Sequence, residues 1–365
     1  MLYERNKKTL QVRVIVIISL AFAIYSLILF GNHPQAVEQY YSNGVYPIVC
    51  LILHPFFNLF PFSVGDTVYI FTIGYLCYAV FRLIKLAYKK AFRQAGIYLL
   101  GLLAGIETGI LIFYILWGMN YYRPPAGDLL NLRDTGYTTA DLRAVTAMLI
   151  DSANTTRSRV TAGELTTDNN AIYQTAIGAV RKLSHNSVNF QAYSPDIKPS
   201  LLTPLLNYIG TSGYYNPFTS EAQMNYQMPV FERPVVACHE MSHQAGFATE
   251  DEANFAGFVA GIGSNDHLLR YSAYHLAVDE LMHALRYRDT IANNELKPCL
   301  SSAVRNDFKT ERKYWISYQS RAGALSSIFY DKFLKANNQP HGLGTYNRMV
   351  LLVMALYKKS IVHGS

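Results

Sequence analysis

Charge is what this sequence has least of. Asp, Glu, Lys and Arg make up 16% of its 365 residues while half are hydrophobic, against about a quarter charged in an average soluble chain. The deficit is uneven: the apolar excess lies before about Tyr122, so the chain divides into residues 1–120 and 121–365. The net charge of +7 comes without a long basic tract or an aromatic-interleaved basic stripe in the second part, which argues against nucleic acid as a partner. Four cysteines are too few for a disulfide scaffold. Cys238 and Cys299 alone are placed to pair if their domain faces an oxidising compartment, with buried free thiols as the other reading.

What is present in the first part is hydrocarbon. Val14 to Phe30 is uncharged and long enough to cross about 30 Å as a helix. No small-x-small cleavage site follows it in GNHPQAVEQ, so an uncleaved anchor is expected rather than a signal peptide. Two further spans read from about Thr67 to Leu83 and Ala95 to Trp117. Between the first two, VYPIVCLILHPFFNLFPF is broken by Pro47, Pro55 and Pro61, which suits an interfacial or re-entrant segment better than a fourth crossing. Arg5, Lys7, Lys8 and Arg13 flank the first span, the loop from Asn32 to Asp66 has no Lys or Arg, and Arg82, Lys85, Lys89, Lys90 and Arg93 lie between the last two spans. With three spans, this bias puts the N-terminus inside and everything after Trp117 outside. Glu107, the acid within the third span, reads as a residue satisfied inside the bundle.

The second part is amphipathic. Helices are expected over Thr139 to Ser158, Asn169 to Leu183, the stretch around VVACHEMSHQ, Thr249 to Gly263, Tyr271 to Arg286, Lys309 to Ser326, Ile328 to Ala336 and Tyr346 to Lys359. SHNSVNFQAYSPDIKPSLLTPLLNYIG reads as a connection, and the polar-apolar alternation from Glu221 to Met228 as a half-buried strand that could run along a cleft and pair with an extended peptide. The expected fold is mainly α: transmembrane helices, then a helix-rich α+β domain with a small sheet.

The chemistry concentrates in CHEMSHQAGFATEDEANFAGF, from Cys238 to Phe258. On a helix, His239 and His243 project from one face and both imidazoles can bind one Zn2+. Glu240, one position round, can act as general base on a water acidified by the metal. Gly246 falls where a C-cap would end the helix just past the second ligand. A third ligand is required, and Thr249 opens a second helix with three acids in its first turn. Glu250 and Asn254 share a face, so Glu250 could bind zinc while Asn254 hydrogen-bonds a ligand; Glu252, about 200° away, is the alternative. For stabilising an oxyanion, Tyr271, Tyr274, His275, His341, Tyr346 and Arg348 are candidates, HGLGTYNR standing out for its glycines.

HEMSH followed by EDEAN resembles the gluzincin metallopeptidases, whose second helix carries a Glu-x-x-Ala-Asp type motif; the resemblance implies Glu250 as third ligand with Asn254 in the place of the Asp behind it. The gap between His243 and Glu250 is shorter than in many gluzincins, and no histidine stands at Thr249, where a metzincin would have its ligand. With the three spans and NYYRPP, the chain also resembles an uncharacterised bacterial family of membrane-anchored, DUF-type zinc peptidases. The resemblance implies a zincin-like domain, a peptide or protein substrate, and a multi-pass protein of the bacterial cytoplasmic membrane with its catalytic domain outside. A non-catalytic zinc-binding sensor and a metal-free structural protein are the competing readings.

Overall fold

The computed structural model describes residues 2–132, 136–339 and 347–363. Contacts divide the chain into two compact units: residues 1–49, 64–123 and 217–219 form the first, and 50–63, 124–216 and 220–365 the second.

The first unit is helical because its long apolar runs can satisfy backbone polar groups only internally. Helices α1 (Leu2–Gly31), α3 (Val64–Tyr88) and α4 (Phe92–Leu116) each contain a stretch long and apolar enough to cross a membrane. Helix α2 (Tyr46–Asn58), with Pro55 inside it, does not. After α4 a short 3-10 turn over Gly118–Tyr122 carries the NYYR motif. Asn120 accepts from Ser42 Oγ at 3.0 Å, and Arg123 grips Glu38 in a two-pronged ion pair at 2.8 and 2.9 Å.

The proline-broken segment is held by polar contacts rather than by length. From Cys50 onward it counts with the second unit. There Lys198 Nζ donates to the Phe57 carbonyl at 2.6 Å and pairs with Glu221 at 2.7 Å, His54 contacts the Tyr193 carbonyl, and Ser63 meets the Gln223 amide. Leu51, Ile52, Phe56, Leu59 and Phe62 remain exposed.

In the second unit α5 (Thr139–Arg159) opens with a capping box: Thr138 Oγ1 accepts from Asp141 N while the Asp141 carboxylate accepts from Thr138 N. It is followed by α6 (Asn169–Asn186), β1 (Ile197–Pro199), α7 (Thr203–Ile209), β2 (Gly213–Asn216) and β3 (Glu221–Met224). Then come α8 (Arg233–Gln244), α9 (Glu250–Ile262), α10 (His267–Arg288), α11 (Thr290–Leu296), α12 (Ser302–Ser317), α13 (Arg321–Ala336) and α14 (Asn347–His363). The stretch read as a connection therefore holds a strand and a helix. The single helix expected over 309–326 is broken, because Ser320 caps α13 by accepting from Gly323 N at 3.1 Å.

The sheet order is β1-β3-β2, with β1 parallel and β2 antiparallel to β3. This corrects the strand expectation in two respects. The strand stops at Met224, because the Asn225 side chain accepts from Gln227 N at 3.0 Å and folds the chain into a turn. All four of its residues are buried, and both of its sides are taken by β1 and β2, so β3 is no edge along which a peptide could pair.

One core joins α5, α9, α10 and α14 through Leu142, Leu149, Phe255, Leu281 and Val353. A second joins α6 and the sheet to α8 through Ile172, Ile177, Ile197, Met224, Cys238 and Met241. Helix α8 is thus packed against α6 and the sheet on one side and α9 on another, which fixes the rotation of everything it carries. Cys238 is buried and Cys299 exposed, and none of the four cysteines is in a disulfide.

Candidate metal centre

Helix α8 begins with Pro234 in its first turn and ends in a complete Schellman turn: Phe247 N donates to Ser242 O at 3.1 Å and Gly246 N to His243 O at 3.0 Å, with Gly246 at φ +85°. A residue with a Cβ would resist that conformation. The turn brings the Phe247 carbonyl back over the last helical turn, where it receives His243 Nδ1 at 2.6 Å. A carbonyl only accepts, so the proton sits on Nδ1 and Nε2 is left with its lone pair.

His239 is held in the same sense from the neighbouring helix. Its Nδ1 lies 2.7 Å from Asn254 Oδ1, the contact expected of Asn254. The approach of α9 that makes this possible depends on Gly257: a Cβ there would stand 3.0 Å from His239 N and 3.2 Å from its Cα. The two imidazole rings lie 4.8 Å apart, nearly perpendicular.

Both Nε2 atoms converge on Glu250, 3.2 Å from His239 to Oε2 and 3.7 Å from His243 to Oε1. Two donors bound at about 2.0–2.2 Å to one tetrahedral ion stand about 3.4 Å apart, so these separations suit a shared metal. Glu252 is turned elsewhere: its Oε1 accepts from Ala126 N at 2.6 Å. Glu240 completes the group, its ligand atom and those of His239 and His243 all lying within 4.8 Å of one another. Its Oε2 is buried without a hydrogen bond. Room for that carboxylate exists because β2 begins with Gly213, where a Cβ would fall 2.6 Å from Glu240 Oε1.

Burial opposes charge on all four groups, and the neighbours decide the outcome. On Glu250 the hydrogen bond to His239 and the two imidazoles overcome burial and bring the carboxyl down to about 2. On His239 the Glu250 hydrogen bond and the charges of Glu240 and Glu250 overcome it and raise the imidazole to about 9. Burial prevails on His243, which falls to about 4 although Glu250 opposes it, and on Glu240, which rises to about 8. The group therefore pairs an ionised Glu250 with a charged His239 beside a neutral His243, all oriented as ligands, and a cation bound there would take the place of the proton on His239 Nε2. Such a set fits zinc, and the 24% exposure of the Glu250 side chain leaves a solvent approach.

Of the residues suggested as oxyanion partners, the four described ones make their contacts elsewhere. Tyr271 is buried and donates to Asp307 at 2.7 Å, and His275 faces Glu311. Tyr274 packs on Phe258, and Arg348 is exposed at the start of α14, its charge acting on Asp251. His341 and Tyr346 lie outside the described residues. The hydroxyl that does reach the site is that of Tyr330 on α13, which donates to Glu250 Oε1. Nothing local in the sequence separates Tyr330 from the other tyrosines, since its role arises only from where α13 docks.

Comparison with curated proteins and with solved structures returns no match. A family model does match over residues 41–354, most of the chain, and the protein belongs to the family described as protein of unknown function (DUF3810).

Proposed function

We propose that this chain is a membrane-anchored zinc peptidase in which His239, His243 and Glu250 hold the metal and Glu240 is the general base. The observation that carries the reading is the convergence of two imidazole Nε2 atoms on one carboxylate, beside the unpartnered oxygen of Glu240. Zinc held there supplies Lewis acidity toward a substrate carbonyl and toward water.

The remaining roles belong to the chain. Asn254 and the Phe247 carbonyl orient the imidazoles. Glu240, whose carboxylate form a bound cation would favour against burial, takes a proton from the attacking water and returns it to the departing amine. Tyr330, already donating beside the ligands, is the residue to hydrogen-bond the carbonyl oxygen as it gains charge. Three apolar helices supply the anchor, and the Lys and Arg distribution around them supports an extracytoplasmic catalytic unit in the bacterial cytoplasmic membrane.

Glu240→Gln separates a peptidase from a zinc-binding sensor. In detergent, the wild type should cleave members of a mixed peptide library scored by mass spectrometry, and the variant should keep its zinc and lose cleavage. A wild type that binds zinc at His239 and His243 yet cuts nothing, in the library or among co-expressed membrane and envelope proteins, would sink the peptidase reading in favour of the sensor.

A further inference from the structure

A second group of buried titratable side chains lies at the other end of α8. Glu232 immediately precedes that helix, His275 and Asp279 stand four residues apart on α10, and Glu311 projects from α12. Glu232 and His239 are seven positions apart, about 10 Å along the axis, so this group is distinct from the first.

Its geometry is that of ligands lacking a common partner. The His275 ring is 4% exposed, stacked on Phe308 at 4.1 Å and bounded by Phe231 at 5.1 Å. These walls aim Nε2 at Glu311 Oε2, 3.6 Å away, yet Nε2 makes no hydrogen bond. Glu232, 9% exposed, likewise has Oε1 buried without a partner. A hydrogen bond would draw imidazole and carboxylate to about 2.7–3.2 Å, whereas two donors on one ion at about 2.1 Å stand farther apart.

The charges point the same way. Burial lowers His275 to about 3, so it is a neutral imidazole and no counter-charge to the acids. Burial and the mutual repulsion of carboxylates raise Glu232 to about 9 and Glu311 to about 8, with Asp279 contributing to both. Trp315 hydrogen-bonds the Glu232 side chain and the charge of Arg233 opposes the rise without overcoming it, while Arg233 itself donates to the Met228 carbonyl and Asn169. Asp279 is exposed at the rim, and the Glu311 side chain is 26% exposed, which provides an entry path.

We infer that Glu232, His275 and Glu311, with Asp279 at the mouth, form a second site for a divalent transition-metal ion. Two carboxylates and one imidazole are the donors that Zn2+ and Mn2+ accept. Bound there, the ion ties the start of α8 to α10 and α12 and so braces the helix that carries His239 and His243. The site does not rest on the peptidase reading.

The test is a metal count on the full chain in detergent, stripped by chelator, dialysed separately against Zn2+ and Mn2+, and analysed by elemental mass spectrometry. The wild type should hold two ions per chain with at least one of the two metals. His239→Ala/His243→Ala should keep one, together with a rise in melting temperature on adding that metal, and Glu232→Gln/Glu311→Gln should lose that one and keep the other. No ion with either metal in the folded His239→Ala/His243→Ala protein overturns the inference even if the glutamate variant fails to fold. So does a second ion that persists in a folded Glu232→Gln/Glu311→Gln protein.

Discussion

Replacing Gly213 with alanine would test whether the fold makes room for a working Glu240. The added Cβ would lie 2.6 Å from Glu240 Oε1, 2.9 Å from its Cδ and 2.8 Å from the Gln223 carbonyl oxygen. The first of these is about 0.8 Å inside ordinary van der Waals contact. The carboxylate can swing, but the Gln223 carbonyl belongs to the central strand and is fixed by its register with β2. The strain therefore falls mainly on Glu240. A general base misplaced by that much costs on the order of 10²-fold in turnover, or about 2.7 kcal/mol of transition-state stabilisation. Overpacking costs about 1–3 kcal/mol of stability. The three atoms nearest the new Cβ belong to Glu240 and Gln223 and none to His239, His243 or Glu250, so metal content should hold. The assay pairs kcat on a cleaved library peptide with elemental analysis of the same sample. Wild-type turnover in Gly213→Ala, or loss of metal with turnover per bound metal unchanged, would refute the assignment of Glu240 and its cradle.

The remaining predictions concern the neighbours. Asn254→Ala removes the acceptor at His239 Nδ1 and should weaken zinc by about 10–100-fold in a competition titration; unchanged affinity would show that Asn254 does not set the imidazole. Tyr330→Phe deletes the hydroxyl at Glu250 and should lower kcat by about 10²-fold with zinc content and KM nearly unchanged, whereas a wild-type kcat removes Tyr330 from the reaction. Gly257→Ala presses a Cβ onto the His239 backbone and should both lower the melting temperature and weaken the metal; an effect on neither would mean that the helices can part freely. For pH, Glu232 rises in the folded state from 4.5 to about 9 through burial and then the charge of Glu311. A raised carboxyl contributes stability below about pH 4.5 that is lost as pH climbs through 9. The chelated protein should therefore melt at progressively lower temperature over that window, and Glu232→Gln should flatten the slope; equal slopes would contradict it.

The long apolar helices and the helix of His239 and His243 were legible because each depends on local pattern: uninterrupted apolar length for α1, α3 and α4, and four-residue spacing with a terminal glycine for α8. The boundaries of α5, set by Thr138 and Asp141, were legible for the same reason. Glu250 was preferred to Glu252 on the face it shares with Asn254, but both are acids in one helical turn, and it is the docking of α9 that turns the first to the histidines and the second to Ala126. The role of β3 was misread because alternation says which residues differ in polarity and nothing of which strands flank them. Tyr330 and the Glu232, His275 and Glu311 group are assembled from elements far apart in sequence. Their chemistry depends on distance and burial, which arise only when the helices pack.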